Sequence, residues 1–303
     1  MYKRKAKWLV LSLSIVMLVS LLTACAQQPA VTPNQDPDPQ PLVAAEVLTE
    51  AAKDLLNNLP DGNFILAADK ALSLLEQNPD AILWVDMRTA DVYSAGHIPG
   101  AVNIPYAQTA QFLEVLPTNK QIIFQCYSGQ TSAQVTALAN LLGFNAVSFA
   151  GGMNFGWAPL GLAEDTLETT ENPLPAANTP DLDEREQIIW DAVVDYFSDT
   201  SLVTSPADLH ALLEENPDAI MVLDIRSEAD FANGHIEGAV NIPFKQVGAS
   251  FDQLPTNRPI YITCYSGQTA GITLAALRVA GFNAFSVSRG MIGWNGAELP
   301  VVK

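Results

Sequence analysis

The chain of 303 residues contains a long internal repeat, and this repeat limits the folds that the chain can adopt. Corresponding residues lie 138 positions apart, as between Cys126 and Cys264, with no insertion between residues 78 and 153. Solenoid repeats have periods of about 20–50 residues. A period this long therefore indicates two whole domains rather than a solenoid. The repeated pairs include Asp86/Asp224, Arg88/Arg226, His97/His235, Asn103/Asn241 and Gly143/Gly281.

Each copy alternates short apolar segments with helical patterns. The continuous apolar segments 82–85 and 220–223 are typical of buried parallel strands. Residues 69–76 and 206–214 have helical patterns, and apolar residues recur at helical spacing over 135–142. Strands that alternate with helices predict, for each copy, an α/β domain with a mostly parallel sheet and helices on both faces.

The distribution of proline and acidic residues predicts the limits of the domains. The first domain is predicted at residues 51–162 and the second at 185–303, joined by an acidic, proline-rich linker at 163–184. Such a linker would allow the two domains to move relative to each other. Residues 25–50 contain a stretch rich in Pro, Gln and Asp and are predicted to form a disordered tether.

The same six residues, Cys-Tyr-Ser-Gly-Gln-Thr, follow an apolar segment in both copies, at 126–131 and 264–269. A helical pattern follows each, so each cysteine is predicted at the carboxyl end of a strand, where parallel α/β sheets bind ligands. Backbone N–H groups and a helix N-terminus there favour an anion, including a thiolate. We interpret Cys126 and Cys264 as sulfur nucleophiles. The five residues after each cysteine form the predicted cradle: Tyr127, Ser128, Gly129, Gln130 and Thr131 in one copy, and Tyr265, Ser266, Gly267, Gln268 and Thr269 in the other.

A lone cysteine at a strand end is more often a small buried hydrophobic residue than a nucleophile. Here the cysteine occurs twice, each time with a glycine three residues later and a helix start, which favours the functional interpretation. The three cysteines of the chain do not form a disulfide framework. Cys25 belongs to an N-terminal leader, described below, and each predicted domain contains a single cysteine. No Cys/His spacing is typical of zinc, so no metal is expected.

The composition indicates globular domains and argues against nucleic acid as a partner. Hydrophobic residues make up 49% of the chain, which is enough to form buried cores. The formal net charge is −18, so the surface would repel a phosphate backbone.

The N-terminus resembles the leader of a bacterial lipoprotein. A basic segment at 3–7 precedes an apolar core at 8–22, which is shorter than the roughly twenty residues that span a bilayer. The core ends in Leu-Thr-Ala-Cys at 22–25, similar to a lipobox. This resemblance implies a signal peptide at 1–24 and lipidation of Cys25, which would anchor the protein to a membrane on the extracytoplasmic face of the cell envelope. The alternative is an ordinary secretory signal that is cleaved near Ala24.

Several further repeated motifs resemble those of a tandem rhodanese, a sulfurtransferase family. They are Asp-x-Arg at 86–88 and 224–226, Gly-His-Ile-x-Gly-Ala at 96–101 and 234–239, the Asn-Ile-Pro that follows, the Cys loop, and a closing Gly-Met with a nearby Trp. The resemblance covers most of residues 65–160 and 203–300. It implies two tandem rhodanese-like domains.

The resemblance also implies a chemistry. The loop cysteine would attack the outer sulfur of a donor such as thiosulfate or a mercapto acid and become a persulfide, which the loop N–H groups stabilise. An acceptor thiol or cyanide would then remove the sulfur in a second step. The expected partners are therefore a small sulfur-containing substrate and a thiol acceptor, and no cofactor is expected.

The basic residues do not identify the donor. Sulfurtransferases that act on anionic donors often carry an arginine where this chain has Val92 and Asp230. Arg88 and Arg226 are interpreted as internal ion pairs with the aspartates two residues earlier, with anion contact as the alternative. Arg289 has no counterpart in the first copy and is the remaining candidate anion contact, for the second site.

Two rival functions remain for comparison. A cysteine-dependent phosphatase needs an arginine six residues after the cysteine, where this chain has Ser132 and Ala270, so this function is disfavoured. A non-catalytic sulfur-binding or redox-sensing module on the cell surface stays open, because a reactive thiol outside the cytosol oxidises readily. His97 and His235 are interpreted as residues that fix a turn rather than as general bases.

Overall fold

A computed structural model describes residues 42–161, 166–199 and 202–303. The signal peptide and the lipidation site predicted from the sequence lie outside these residues. Residues 42–303 form one compact unit. Within the described ranges, no helix is both long enough and apolar enough to cross a membrane.

Two five-stranded sheets, one in each half, organise the described chain. All strand pairs within them are parallel, and the spatial orders are β1-β5-β4-β2-β3 and β6-β10-β9-β7-β8. The predicted fold class, two tandem parallel α/β domains, is thus confirmed. The strands are Ile65–Leu66 (β1), Ile82–Asp86 (β2), Val102–Asn103 (β3), Gln121–Gln125 (β4), Ala146–Phe149 (β5), Val203–Thr204 (β6), Met221–Asp224 (β7), Val240–Asn241 (β8), Ile260–Thr263 (β9) and Ala284–Val287 (β10).

The helices confirm the predicted alternation and extend it. The helices predicted at 69–76 and 206–214 are observed as α2 (Ala68–Gln77) and α6 (Pro206–Glu215), each within one residue of the predicted limits. Proline at the first position of α6 and the Ser205 hydroxyl, which accepts from Asp208 N at 3.1 Å, define its start. The helices are Ala44–Asn57 (α1), Ala68–Gln77 (α2), Ala90–Ala95 (α3), Gln130–Leu141 (α4), Glu184–Tyr196 (α5), Pro206–Glu215 (α6), Glu228–Asn233 (α7), Gln268–Val279 (α8) and Gly290–Gly296 (α9).

One hydrophobic core joins the two halves. It contains strand residues of both sheets, such as Ile122 and Ile262, together with buried residues of α1, α4, α5 and α8. Helices α4 and α8 pack directly on each other, and Gly271 permits their close approach because a Cβ there would lie 2.5 Å from the Gln130 carbonyl oxygen. The shared core does not fit the independent movement of two domains that the linker had suggested.

A pair of buried hydrogen bonds joins three segments inside this core. The Gln134 side-chain oxygen accepts hydrogen bonds from Tyr106 at 2.8 Å and from Tyr196 at 2.9 Å. Burial raises the pKa of Tyr106 to about 12 and that of Tyr196 well above its ordinary value. Both phenols therefore stay neutral and act as donors at physiological pH.

The predicted tether and the predicted linker are both more ordered than the sequence suggests. The limits of the two domains stay a prediction. Helix α1 begins at Ala44, so the last part of the segment 25–50 is helical rather than disordered. The described part of the segment predicted as a linker contacts the first half, where Glu168 forms a β-bridge with His97 and Asn172 donates to the Ala101 carbonyl at 3.1 Å. In the second half, Val302 forms the matching bridge with His235.

Candidate active site

The two Cys loops occupy the same position in each half. Cys126 follows β4 directly and precedes α4, and Cys264 lies in the same way between β9 and α8. Both are therefore at the carboxyl edge of a parallel sheet, as predicted. Gly129 and Gly267 are the N-caps of the two helices, with φ of 88° and 92°, values that L-residues with a side chain rarely adopt.

Backbone N–H groups converge on each sulfur. Cys126 Sγ lies 3.2 Å from Gly129 N and 3.5 Å from Ser132 N. Cys264 Sγ lies 3.1 Å from Gly267 N and 3.4 Å from Ala270 N. The two cysteines are free and only 3% and 2% exposed. Donors that point at a sulfur beside a helix N-terminus can stabilise a negative charge there, on a thiolate or on a persulfide.

A glycine from the end of each half supports the loop from behind. A Cβ on Gly152 would lie 2.4 Å from the Cys126 carbonyl oxygen, and one on Gly290 would lie 2.3 Å from that of Cys264. The same carbonyls accept hydrogen bonds from Met153 N at 2.9 Å and Met291 N at 2.8 Å. The Gly-Met pairs of the sequence thus hold the back of the cysteine loops.

The predicted cradle residues separate into three groups. Tyr127 and Tyr265 are exposed at 43% and 48%, beside the cysteines. The side chains of Gln130 and Gln268 do not face their own cysteine but reach into the opposite half of the molecule. Ser128 and Ser266 in the turns, and Thr131 and Thr269 in the first turn of α4 and α8, are half-buried.

The two exposed tyrosines have different surroundings. The Tyr265 hydroxyl donates to the Asp230 carboxylate, which also accepts from Ser227, and the Arg226 guanidinium lies 5.9 Å from the Tyr265 ring centre. The residue that matches Asp230 in the first half is Val92, which offers Tyr127 no acceptor. Asp230 thus positions a loop tyrosine rather than binding an anion.

Arg88 and Arg226 form the internal ion pairs interpreted from the sequence. The Arg88 Nη2 lies 2.6 Å from an Asp86 carboxylate oxygen and 2.7 Å from the Gly96 carbonyl. Arg226 repeats this arrangement with Asp224 at 2.6 Å. Because both guanidinium groups are buried against carboxylates, they brace the strand ends, and the geometry does not favour them as anion contacts.

Arg289 lies between the two halves. Its backbone is in the left-handed region, with φ of 57°, next to Gly290. Its guanidinium lies 4.6 Å from the ring centre of Phe155, in the first half. Among the described residues no carboxylate is bonded to Arg289, so its charge is available to a ligand.

Phe155 marks a difference between the halves that the sequence analysis missed. The segment Gly152–Trp157 is a π-helical turn, whereas its counterpart Gly290–Gly296 is an α-helix. One extra residue in the first half causes the π-helical turn. Trp157 lies five residues after Gly152, whereas Trp294 lies four residues after Gly290. The extra residue leaves the Phe155 ring 52% exposed under Arg289. Comparison of the two spacings would have revealed it.

His97 and His235 have the structural role interpreted for them. Each imidazole stacks on the aromatic ring four residues earlier, at 3.7 Å between ring centres. Each Nδ1 lies 2.9 Å from the carbonyl oxygen of that same residue. Both rings fix the turn after a short helix.

Comparison with known proteins places this geometry in a family. The sequence pattern of the rhodanese-like domain matches residues 67–158 and 205–297. The thiosulfate sulfurtransferase GlpE of Glaesserella parasuis is 32% identical over 88 residues, which are 29% of this chain and 81% of that protein. The putative sulfur carrier protein YrkF of Bacillus subtilis is 30% identical over 83 residues, which are 27% of this chain and 45% of that protein.

A solved structure also matches part of the chain. A rhodanese-related protein from Thermoplasma volcanium is 27% identical and covers 33% of this chain and 96% of its own, with a TM-score of 0.30. The two matched segments of the family pattern cover more than half of the chain, once in each half. The chain is therefore a tandem member of the rhodanese-like domain family.

Proposed function

We propose that the protein moves sulfane sulfur from a small donor to a thiol or cyanide acceptor through a persulfide on Cys126, Cys264 or both. The observation that carries this proposal is the pair of backbone N–H groups directed at each Sγ, at 3.1–3.5 Å. A site that stabilises an anionic sulfur in this way suits both the attacking thiolate and the persulfide that it forms.

The reaction needs two displacements at sulfur. The cysteine thiolate attacks the outer sulfur of thiosulfate, the S–S bond of the donor breaks, and sulfite leaves with the electron pair. The acceptor then attacks the terminal sulfur of the persulfide, and the electron pair of the broken S–S bond returns to the cysteine as thiolate. Atoms and electrons balance without another oxidant or reductant. With a mercapto acid as donor the C–S bond breaks instead, and the carbon leaves with the electron pair as an enolate, which requires a carbonyl group beside that carbon.

Mass spectrometry of the purified protein after incubation with thiosulfate tests this proposal. We expect the mass of the Cys126 or Cys264 peptide to increase by one sulfur, and this sulfur to disappear when cyanide is added. Retention of the sulfur without transfer to cyanide or to a thiol would support the non-catalytic sulfur-binding or redox-sensing alternative. Absence of the mass increase with thiosulfate and with a mercapto acid would contradict the transferase.

Arg289 is proposed as the contact for an anionic donor. Its guanidinium has no bonded carboxylate among the described residues, whereas Arg88 and Arg226 are neutralised. We expect Arg289→Gln to raise the KM for thiosulfate about three- to tenfold with little change in kcat, because one partly exposed charge contact is lost. Steady-state kinetics over a range of thiosulfate concentrations measures this effect.

Arg258→Gln is the matched control for Arg289. It removes the same charge just before β9, at the end of that strand opposite the Cys264 loop. Its KM for thiosulfate should stay close to that of the wild type. An equal rise in both variants would mean that the general field of the protein, rather than a contact at Arg289, attracts the donor.

The membrane anchor remains a proposal that rests on the sequence of the leader. We propose that Cys25 becomes the lipidated first residue and holds the protein on the extracytoplasmic face of the cell envelope. Intact-mass analysis of protein from the membrane fraction should show the mass of residues 25–303 plus acyl chains. Cys25→Ser should lose these acyl chains and leave the membrane fraction, and an unacylated mature N-terminus in the wild type would contradict the anchor.

A further inference from the structure

The Gln268 side chain crosses from the Cys264 loop into the first half. Its Nε2 donates to Ser148 Oγ and to the Phe149 carbonyl, both at 3.0 Å, and its Oε1 accepts from Gly151 N at 3.2 Å. The orientation of the amide is unambiguous because a carbonyl only accepts and a backbone N–H only donates. The side chain also covers Gly129, where a Cβ would lie 2.6 Å from Gln268 Cδ.

Ser148 passes this contact on to the first cysteine. Ser148 Oγ lies 3.0 Å from Ser132 Oγ, and Ser132 Oγ lies 3.5 Å from Cys126 Sγ. The two serines are fully buried and Gln268 is 6% exposed. Because the amide occupies a lone pair of Ser148, the Ser148 hydrogen is directed to Ser132 or to the Gly129 carbonyl at 3.4 Å. While the thiol is neutral, Cys126 Sγ donates to Ser132 Oγ, and the Ser132 hydroxyl donates to the Gly129 carbonyl at 3.1 Å. Once the thiol has lost its proton, the Ser132 hydrogen can turn to the anionic sulfur instead.

The corresponding hydrogen-bond path in the second half lacks one hydroxyl group. Gln130 Nε2 donates to Ser286 Oγ at 2.9 Å and to the Val287 carbonyl at 3.0 Å, and its Oε1 accepts from Arg289 N at 3.0 Å. The residue that matches Ser132 is Ala270, which has no hydroxyl. Only backbone N–H groups therefore reach Cys264 Sγ along this route.

We propose that Gln268 is a positioning residue for Cys126 and acts across the boundary between the halves through Ser148 and Ser132. Cys126 then has a hydroxyl donor in addition to its N–H groups, and Cys264 has no such donor. The two thiols should therefore differ in reactivity, and a residue of one Cys loop tunes the other. The effect on the thiols follows from the hydrogen bonds alone, whereas its consequence for sulfur transfer rests on the proposed function.

Site-resolved alkylation of the full-length protein with iodoacetamide tests this proposal without any sulfur donor. Gln268→Met keeps the length of the side chain but cannot donate. We expect it to slow alkylation of Cys126 about three- to tenfold, because part of a hydrogen bond to a charged group is lost. The alkylation rate of Cys264 should stay within about twofold of the wild-type rate. Ser132→Ala should slow Cys126 similarly, and Gln268→Met should add little in that background. The ultraviolet absorbance of the thiolate, in a Cys25→Ser/Cys264→Ser background, gives the same comparison without a reagent.

Gln130→Met is the matched control. It removes the corresponding amide contact in the second half, where Ala270 stands in place of Ser132 and no hydroxyl reaches the cysteine. It should leave the alkylation of both cysteines within about twofold, whereas a general loosening of the loops would slow both in either variant. Ala270→Ser should speed alkylation of Cys264 and make it sensitive to Gln130→Met. An unchanged Cys126 rate in Gln268→Met, or an equal loss at both cysteines with a lowered Tm, would overturn the proposal.

Discussion

Sulfur transfer is expected to disappear when both Cys126 and Cys264 are replaced by serine, while each single variant keeps the activity of the other half. A serine hydroxyl takes the place of the thiol but is a much weaker nucleophile at pH 7 and cannot carry a persulfide. We expect at least about a thousandfold loss of thiocyanate formation in the double variant. Steady-state kinetics with thiosulfate and cyanide measures the loss.

Cys25→Ser is the matched control for these variants, since it replaces the third cysteine of the chain outside both loops. Its rate with the purified protein should equal that of the wild type. Because each Sγ is held mainly by backbone N–H groups, serine at 126 or 264 should change the melting temperature by only a few degrees. A double variant with wild-type activity would refute both sites at once.

The largest effect on the loops without a change at a cysteine is expected from Gly152→Ala and Gly290→Ala. These glycines have φ of 58° and 52°, and an added Cβ would lie within 2.4 Å of a cysteine carbonyl oxygen. The backbone of the loop has to shift, because a carbonyl cannot rotate away as a side chain does. We expect each variant to lose about 2–4 kcal/mol of unfolding free energy and most of the persulfide in its own half. Urea unfolding and site-resolved mass spectrometry measure the two losses.

Gly143→Ala and Gly281→Ala separate the clash from the backbone strain. These glycines follow α4 and α8 with φ of 82° and 88°, but nothing lies within 4 Å of an added Cβ. We expect them to cost about 1 kcal/mol and to leave both cysteines active. If they cost as much as Gly152→Ala in stability and in persulfide formation, the contact with the cysteine carbonyl would not be the cause.

Several features of the fold and the site could be predicted because their causes lie within a few residues. Each Cys loop is a local structure, in which a buried strand, a glycine with positive φ and a helix start place the sulfur at the N–H groups. The ion pair of Asp86 with Arg88 joins residues two positions apart. The repeat of 138 residues then determined that the chain contains this arrangement twice.

Other features depend on residues that are distant in the sequence. The sequence predicts Gln130 and Gln268 as cradle residues of their own loops, but their partners lie 117 to 159 residues away, in the opposite half. The contact of the Arg289 charge with the Phe155 ring joins residues 134 positions apart, and the sequence does not predict it. Helix α1 packs against α8 of the second half, and its sequence does not predict this contact.

The sequence by itself thus determined the two α/β halves and the position of the two cysteines at the sheet edge, because hydrophobic periodicity and turn chemistry act over short distances. Only the tertiary structure decided how the two sites meet. That outcome depends on the close packing of α4 against α8, which Gly271 permits. Once the helices are in contact, the buried amides of Gln130 and Gln268 find their partners in the other half, since an unpaired amide in a core costs free energy.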